Sequence, residues 1–245
     1  YCMRTDGYGG FVFINHYQRL AEIKDIYDAV IETGTVKFPA IDIKGEISFF
    51  MPFNMDLNGN RLEYATAQPL CRIDNTYFFV AVDGIKPRYK FAGEEVIEVN
   101  AGIDSVVRFN GLRIVTLAWE EALYARKLSG SLYIGCLCDL YEVDGEIHAA
   151  QEGSYSYYKW NGERFDKAEI FRDFKEAQVG FEDVDEPFVP KYEKLLNIGG
   201  RRRRLWKKIN VSGDKGFVEI PFEYDTAQIY ADGELIADQF YYGVK

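Results

Sequence analysis

The chain has 245 residues, 47% hydrophobic and 16% aromatic, which suits one large or two ordinary globular domains and excludes a disordered chain. A net charge of −10 and a pI near 4.9 argue against a general nucleic-acid role, because such a surface repels phosphate unless basic residues segregate locally. No apolar run approaches the ~18 residues of a spanning helix, and the first residues carry no basic-then-apolar secretory pattern, so neither a nucleic acid nor a membrane is an expected partner.

The first element predicted is a glycine-rich turn, Asp6-Gly7-Tyr8-Gly9-Gly10. It feeds an aromatic and β-branched strand that ends in the polar cluster Asn15, His16, Tyr17, Gln18 and Arg19. The chain starts and stops among residues of a kind usually buried, and so reads as a piece of a longer protein. Residues 23–30 fit a short helical turn, a loop or a strand. The runs Ile47–Phe53 and Leu62–Cys71 flank Asn58-Gly59, and Thr76–Val82 precedes Asp83-Gly84. Asn110-Gly111 leads into the strand Leu112–Leu117. A helix is expected over Ala118–Leu128, with Thr116 as a cap, cations in its last turn, and Ser129-Gly130 as its stop. The turn dipeptides Asp144-Gly145, Asn161-Gly162 and Asp232-Gly233 mark further hairpins. An acidic, proline-bearing stretch at about 181–204 reads as a linker-like crossing. These signals predict an all-β fold of mainly antiparallel, β-sandwich or jelly-roll-like domains with one or two short helices. The expected domains are 1–128 and 129–245.

Alternation along Ser131–Val143 puts Cys136 and Cys138 on one apolar face. They read as reduced core thiols, which points to a reducing, cytoplasmic compartment. Only His16 and His148 would be available to complete a metal site, so no metal and no cofactor is expected. The adjacent pairs Glu94-Glu95 and Glu120-Glu121 do not face one another as the two carboxylates of a glycosidase must. No Gly-x-Ser-x-Gly elbow occurs. His16 reads as a group closing a strand end, surrounded by hydrogen-bonding neighbours. In Tyr155–Gly162, Tyr158 and Trp160 are the candidates for a sugar platform, where rings stack on pyranose C–H faces. The alternative is a hairpin with cross-strand aromatic pairs, one of them in the core. Arg201–Arg204 forms a sharp cationic cluster, read first as a solvated loop balanced by the acidic run before it.

Several segments together resemble the region that follows the catalytic barrel in glycoside hydrolase family 35, the β-galactosidases. They are Gly10–Arg19, Phe38–Ile43, Ile47–Met55, the strand Leu62-Glu63-Tyr64-Ala65-Thr66-Ala67-Gln68-Pro69-Leu70, and Phe217–Ile220 with Ala231–Gly243. The resemblance implies a non-catalytic accessory β-region that packs on a (β/α)₈ barrel of the same parent, a barrel absent from these residues. Family members carry their two catalytic glutamates in that barrel, so no catalytic residue carries over. Asn15, His16, Tyr17 and Arg19 would face the barrel or edge its cleft. The parent would be a β-galactosidase-like hydrolase working by double displacement. The alternatives are a free-standing carbohydrate-binding module and a structural interaction domain.

Overall fold

The Asp6 turn joins two strands, β1 (Cys2–Thr5) and β2 (Gly10–His16), paired antiparallel. A computed structural model describes residues 1–173, 178–183, 207–212, 226–231 and 233–240. Next come β3 (Ile26–Ala29), β4 (Ile41–Ile43), β5 (Ile47–Leu57), β6 (Asn60–Ala65), β7 (Ala67–Ile73) and β8 (Thr76–Ala81). They are followed by β9 (Arg88–Phe91), β10 (Val96–Glu98), β11 (Val106–Phe109) and β12 (Leu112–Leu117). The short helix α1 (Trp119–Leu123) leads to β13 (Ala125–Leu128), β14 (Ser131–Gly135), β15 (Leu140–Val143), β16 (Glu146–Ala149), β17 (Gly153–Trp160) and β18 (Phe165–Arg172). The fold is all-β, mostly antiparallel and sandwich-like, and α1 is the one helix among the described residues. No helix there is long and apolar enough to cross a membrane.

Two compact units divide the chain, Tyr1–Asp173 and Phe174–Lys245. In the first, three sheets have the strand orders β1-β2-β5-β6-β9-β10, β11-β12-β8-β7 and β13-β14-β17-β18. Side-chain alternation stacks them. Tyr77 and Phe79 of β8, with Leu112 and Ile114 of β12, pack against Leu57, Leu62, Tyr89 and Phe91 of the first sheet. From the opposite face, Phe78, Val115 and Leu117 pack against Leu132, Ile134, Trp160 and Phe165 of the third. The middle sheet is therefore covered on both sides. This explains the uninterrupted apolar run at Thr76–Val82, and it suits the parallel pairing of β8 with β12, since parallel pairs are usually buried. A third cluster gathers Val12, Ile14, Phe49, Met51 and Phe53 beneath Ile31, Phe38, Ile41 and Ile43.

The expected hairpin turns Asn58-Gly59, Asn110-Gly111 and Asp144-Gly145 have positive φ at both positions, the geometry of a two-residue turn that matches strand twist. Asp83-Gly84 instead lies in a crossover, from β8 of the middle sheet to β9 of the first. The run Leu62–Cys71 is two strands, not one. It breaks at Thr66, whose N–H donates to the Arg88 carbonyl at 2.9 Å while its hydroxyl donates to the Lys86 carbonyl at 2.7 Å. That corner moves the chain from the first sheet into the second.

The helix expected over Ala118–Leu128 is cut to Trp119–Leu123, and Ala125–Leu128 forms β13. Ser129-Gly130 does not stop a helix but turns β13 into β14, with φ of 45° and 74°. Packing overrides propensity here, because Ala122 and Ala125 rest on the third-sheet core. Thr116 is no cap. It is fully buried, and the free Ala118 N–H donates to Glu121 Oε2 at 2.8 Å. The single strand expected over Ser131–Val143 stops at Gly135, and Cys136-Leu137-Cys138 forms a turn before β15. Cys138 is buried, Cys136 is half-buried, and all four cysteines are free. Residue 128, where sequence alone places a domain boundary, sits in the β13–β14 hairpin, and the core cluster of Phe78 and Leu132 spans it.

In the second unit, β19 (Gln178–Asp183) pairs with β20 (Lys207–Ser212), and β21 (Thr226–Ala231) pairs with β22 (Glu234–Phe240), both antiparallel. Asn210 Nδ2 donates to Glu182 Oε1 at 3.1 Å across the first of these pairs. Most of the acidic crossing, the whole of Arg201–Arg204 and Phe217–Ile220 lie outside the described residues.

Candidate functional site

The glycine-rich turn borders a polar concavity of the first unit. Asp6 Oδ1 accepts from the N–H of Tyr8 at 2.9 Å and of Gly9 at 2.8 Å, and the Thr5 hydroxyl donates to the Gly9 carbonyl at 2.8 Å. Gly9 is required by close approach, since a Cβ there would lie 2.6 Å from the Asn54 carbonyl oxygen. The side chain of Asn54, a residue at φ 45°, donates to the Tyr8 carbonyl at 2.9 Å and to Thr35 Oγ1 at 3.1 Å. The β1–β2 turn, the turn at Thr33–Val36 and β5 at Asn54 are thereby tied together. A cleft of about 320 Å³ opens where they meet β6 and β9.

Its lining includes three cations, Lys37, Arg61 and Lys90, one carboxylate, Glu63, and the side chains of Tyr8, Thr35 and Asn54. Arg61 Nη1 donates to the Tyr8 hydroxyl at 2.7 Å, and Nη2 donates to Glu63 Oε1 at 3.2 Å. The Tyr8 hydroxyl and then Glu63 hold the guanidinium even more firmly charged than usual. Tyr8 is 52% exposed, so its ring faces solvent while its hydroxyl is fixed. Lys37 meets Glu32 at 3.0 Å, a solvated pair that contributes little. Lys90 Nζ donates to the Glu94 carbonyl. Burial beneath the cleft pushes the Tyr64 hydroxyl above its ordinary pKa. The result is a local positive surface on an acidic chain, equipped with one presented ring and several hydrogen-bonding groups.

The residues singled out from sequence lie elsewhere. Asn15 to Arg19 sit at the opposite end of β2 from Tyr8. His16 is buried, with Nδ1 2.7 Å from the Gly45 carbonyl. The Gly45 N–H donates to Asp25 Oδ1 at 2.9 Å, which lowers the Asp25 pKa more than nearby Lys44 does. Asn15 Oδ1 accepts from the Ser48 hydroxyl at 2.8 Å, while Tyr17 and Arg19 are exposed. Trp160 cannot serve a sugar platform. It is 3% exposed and meets Phe78 and Phe165 edge-on at 5.3 and 5.2 Å between ring centroids. Tyr158 packs on the same core. The other face of β17 carries Tyr157, 6.0 Å from Tyr133, so the core pair of this hairpin is the one read as the platform.

Sequence reading missed Arg61, Lys90, Lys37 and Asn54, which join Tyr8 only through the fold. Arg61 and Tyr8 are 53 positions apart, and no local pattern links them. Among the described residues, no three His, Cys, Asp or Glu side chains gather as a metal site requires. Neither the protein-family models nor the curated proteins compared with this chain give a match.

Proposed function

We propose that this chain is a non-catalytic accessory β-region of a glycoside hydrolase family 35 β-galactosidase-like enzyme, packing on and supporting a (β/α)₈ barrel that these residues do not contain. The observation that supports this reading is the segment following β2. Within residues 17–30, Tyr17, Leu20, Ile26, Tyr27 and Val30 are all exposed, between 45% and 97%. Large apolar side chains concentrated in this way suit a surface covered by another domain. They continue directly from Asn15, His16, Tyr17 and Arg19, the residues that the family resemblance turns toward the barrel.

The test is genetic and enzymatic. The reading frame ahead of Tyr1 is expected to encode a barrel with paired glutamates, and that barrel, co-expressed with this chain, is expected to copurify with it. Leu20→Glu with Tyr27→Glu should weaken the complex. A frame encoding no barrel overturns the proposal, as does turnover of a chromogenic β-galactoside by the purified chain alone.

The second reading, a carbohydrate-binding role, draws on a different observation. The Tyr8 cleft, not the Tyr158–Trp160 hairpin, offers an exposed ring beside fixed hydrogen-bonding groups.

A further inference from the structure

We infer that the Tyr8 cleft is a subsite for an acidic saccharide, in which Arg61 and Lys90 take the carboxylate of a uronic acid residue. The inference rests on the second reading above, a cleft that holds sugar, and is independent of barrel docking. Charge carries the argument. The chain as a whole is −10, yet the cleft gathers three cations against one carboxylate. Cations segregated into a concavity concentrate anions there. Glu63 is bonded to Arg61 and Glu32 pairs with Lys37, which offsets part of the charge of those two cations, whereas Lys90 donates to a neutral carbonyl, that of Glu94, and keeps its charge for a ligand.

Geometry narrows the ligand. A guanidinium carries five N–H donors in a planar fork suited to a carboxylate. Arg61 commits Nη1 to Tyr8 and Nη2 to Glu63. That arrangement orients the fork and keeps the Tyr8 ring presented at the cleft mouth, where a flat aromatic face stacks on the C–H face of a pyranose. Asn54 spends its amide N–H groups on Tyr8 and Thr35, which leaves its carbonyl oxygen to accept from a sugar hydroxyl. A bare phosphate site would need the cations alone and would have no use for a fixed ring. A cleft of about 320 Å³ lies at the small end of ligand pockets, which suits a short saccharide segment.

Calorimetry on the full chain tests this with three probes: trigalacturonate, neutral galactotriose and inorganic sulfate. Trigalacturonate is expected to bind, and more weakly as salt rises. Neutral galactotriose and sulfate are expected to give no comparable heat. Arg61→Ala and Lys90→Gln, each checked for an unchanged unfolding transition, are expected to weaken binding about tenfold or more. Lys90→Gln changes a strand-surface side chain and serves if Arg61→Ala disturbs the turn. Equal binding of the neutral trisaccharide overturns the acidic ligand while the sugar reading stands. Silence from both saccharides overturns both. Sulfate binding as tightly as trigalacturonate overturns the saccharide, and uronate binding indifferent to both substitutions overturns the cleft.

Discussion

A buried hydroxyl costs free energy unless it is bonded, and Tyr89 and Thr116 meet that cost with each other. Both are fully buried, and their oxygens lie 2.7 Å apart. Burial pushes the phenol pKa up, against the smaller opposing effect of Thr116. Tyr89→Phe or Thr116→Val alone strands a hydroxyl and should cost about 1–3 kcal/mol, whereas the double variant should be closer to wild type than the sum of the two. Denaturant unfolding of the four proteins measures this, and simple additivity would show that the pair is not coupled. Asp6 acts on a smaller scale. The N–H of Tyr8, then that of Gly9, holds its carboxyl below its ordinary value of 3.8. A depressed pKa stabilises the fold fully above the unfolded value and loses that effect as pH falls through the folded one. The difference in Tm between wild type and Asp6→Ala should therefore be complete near neutral pH and shrink below pH 3.8. A difference unchanged in that acid range would mean the carboxylate is not what holds the turn.

At the scale of elements, the β14–β15 connection depends on one missing side chain. A Cβ at Gly135 would lie 1.8 Å from the Cys138 carbonyl oxygen, so the chain reverses there only because residue 135 has none. Leu137, at the tip of that turn, sits at φ 63° and is 78% exposed, a conformation rare for a bulky residue. Gly135→Ala should cost about 1–3 kcal/mol by forcing the backbone apart, read as a lowered urea midpoint with an unchanged slope. The same substitution at Gly145, where a Cβ meets nothing within 4 Å but φ is 84°, should cost only about 1 kcal/mol. Equal losses at the two sites would contradict the close contact. The shortened helix follows the same logic. Helix formers in Glu120–Leu128 favour a longer helix locally, but the strand pairing of Ala125–Leu128 with Ser131–Ile134 brings backbone hydrogen bonds and core contact that propensity does not count.

At the scale of the first unit, the middle sheet has two buried faces, and one of them is completed only by residues beyond 128. Phe78, Val115 and Leu117 are each fully buried against Leu132, Ile134, Trp160 and Phe165. Each such side chain contributes about 1.5–3 kcal/mol through burial. A fragment 1–128 should therefore aggregate or unfold, while 1–173 should show a cooperative thermal transition. A soluble, cooperatively folding 1–128 would mean that the third sheet is dispensable to the core. Within 1–173, Trp160→Ala should cost about 3–5 kcal/mol, far more than an exposed sugar-platform ring would.

What could be read without coordinates was whatever is local. The β class and most hairpin turns follow from residue type and a period of two. Alternation separates Tyr155 and Tyr157 from Tyr158 and Trp160 and calls for a core pair, but it does not say which of the two faces another sheet covers. The same limit applies at Ser129-Gly130, where a turn resembles a helix end until its partner strand is seen. The cleft was not legible at all. Tyr8 stood in a conspicuous turn, but Arg61, Lys90 and Asn54 reach it through sheet pairing, which no nearest-neighbour pattern encodes.

The all-β class, the acidic charge and the turn chemistry are carried by the residues alone, because φ preference, charge and side-chain alternation are properties of residues and their immediate neighbours. The twofold covering of β8 and β12, the corner at Thr66 and the gathering of Lys37, Arg61 and Lys90 in the cleft beside Tyr8 arise in the tertiary fold. Those outcomes depend on which faces meet, and long-range burial settles that.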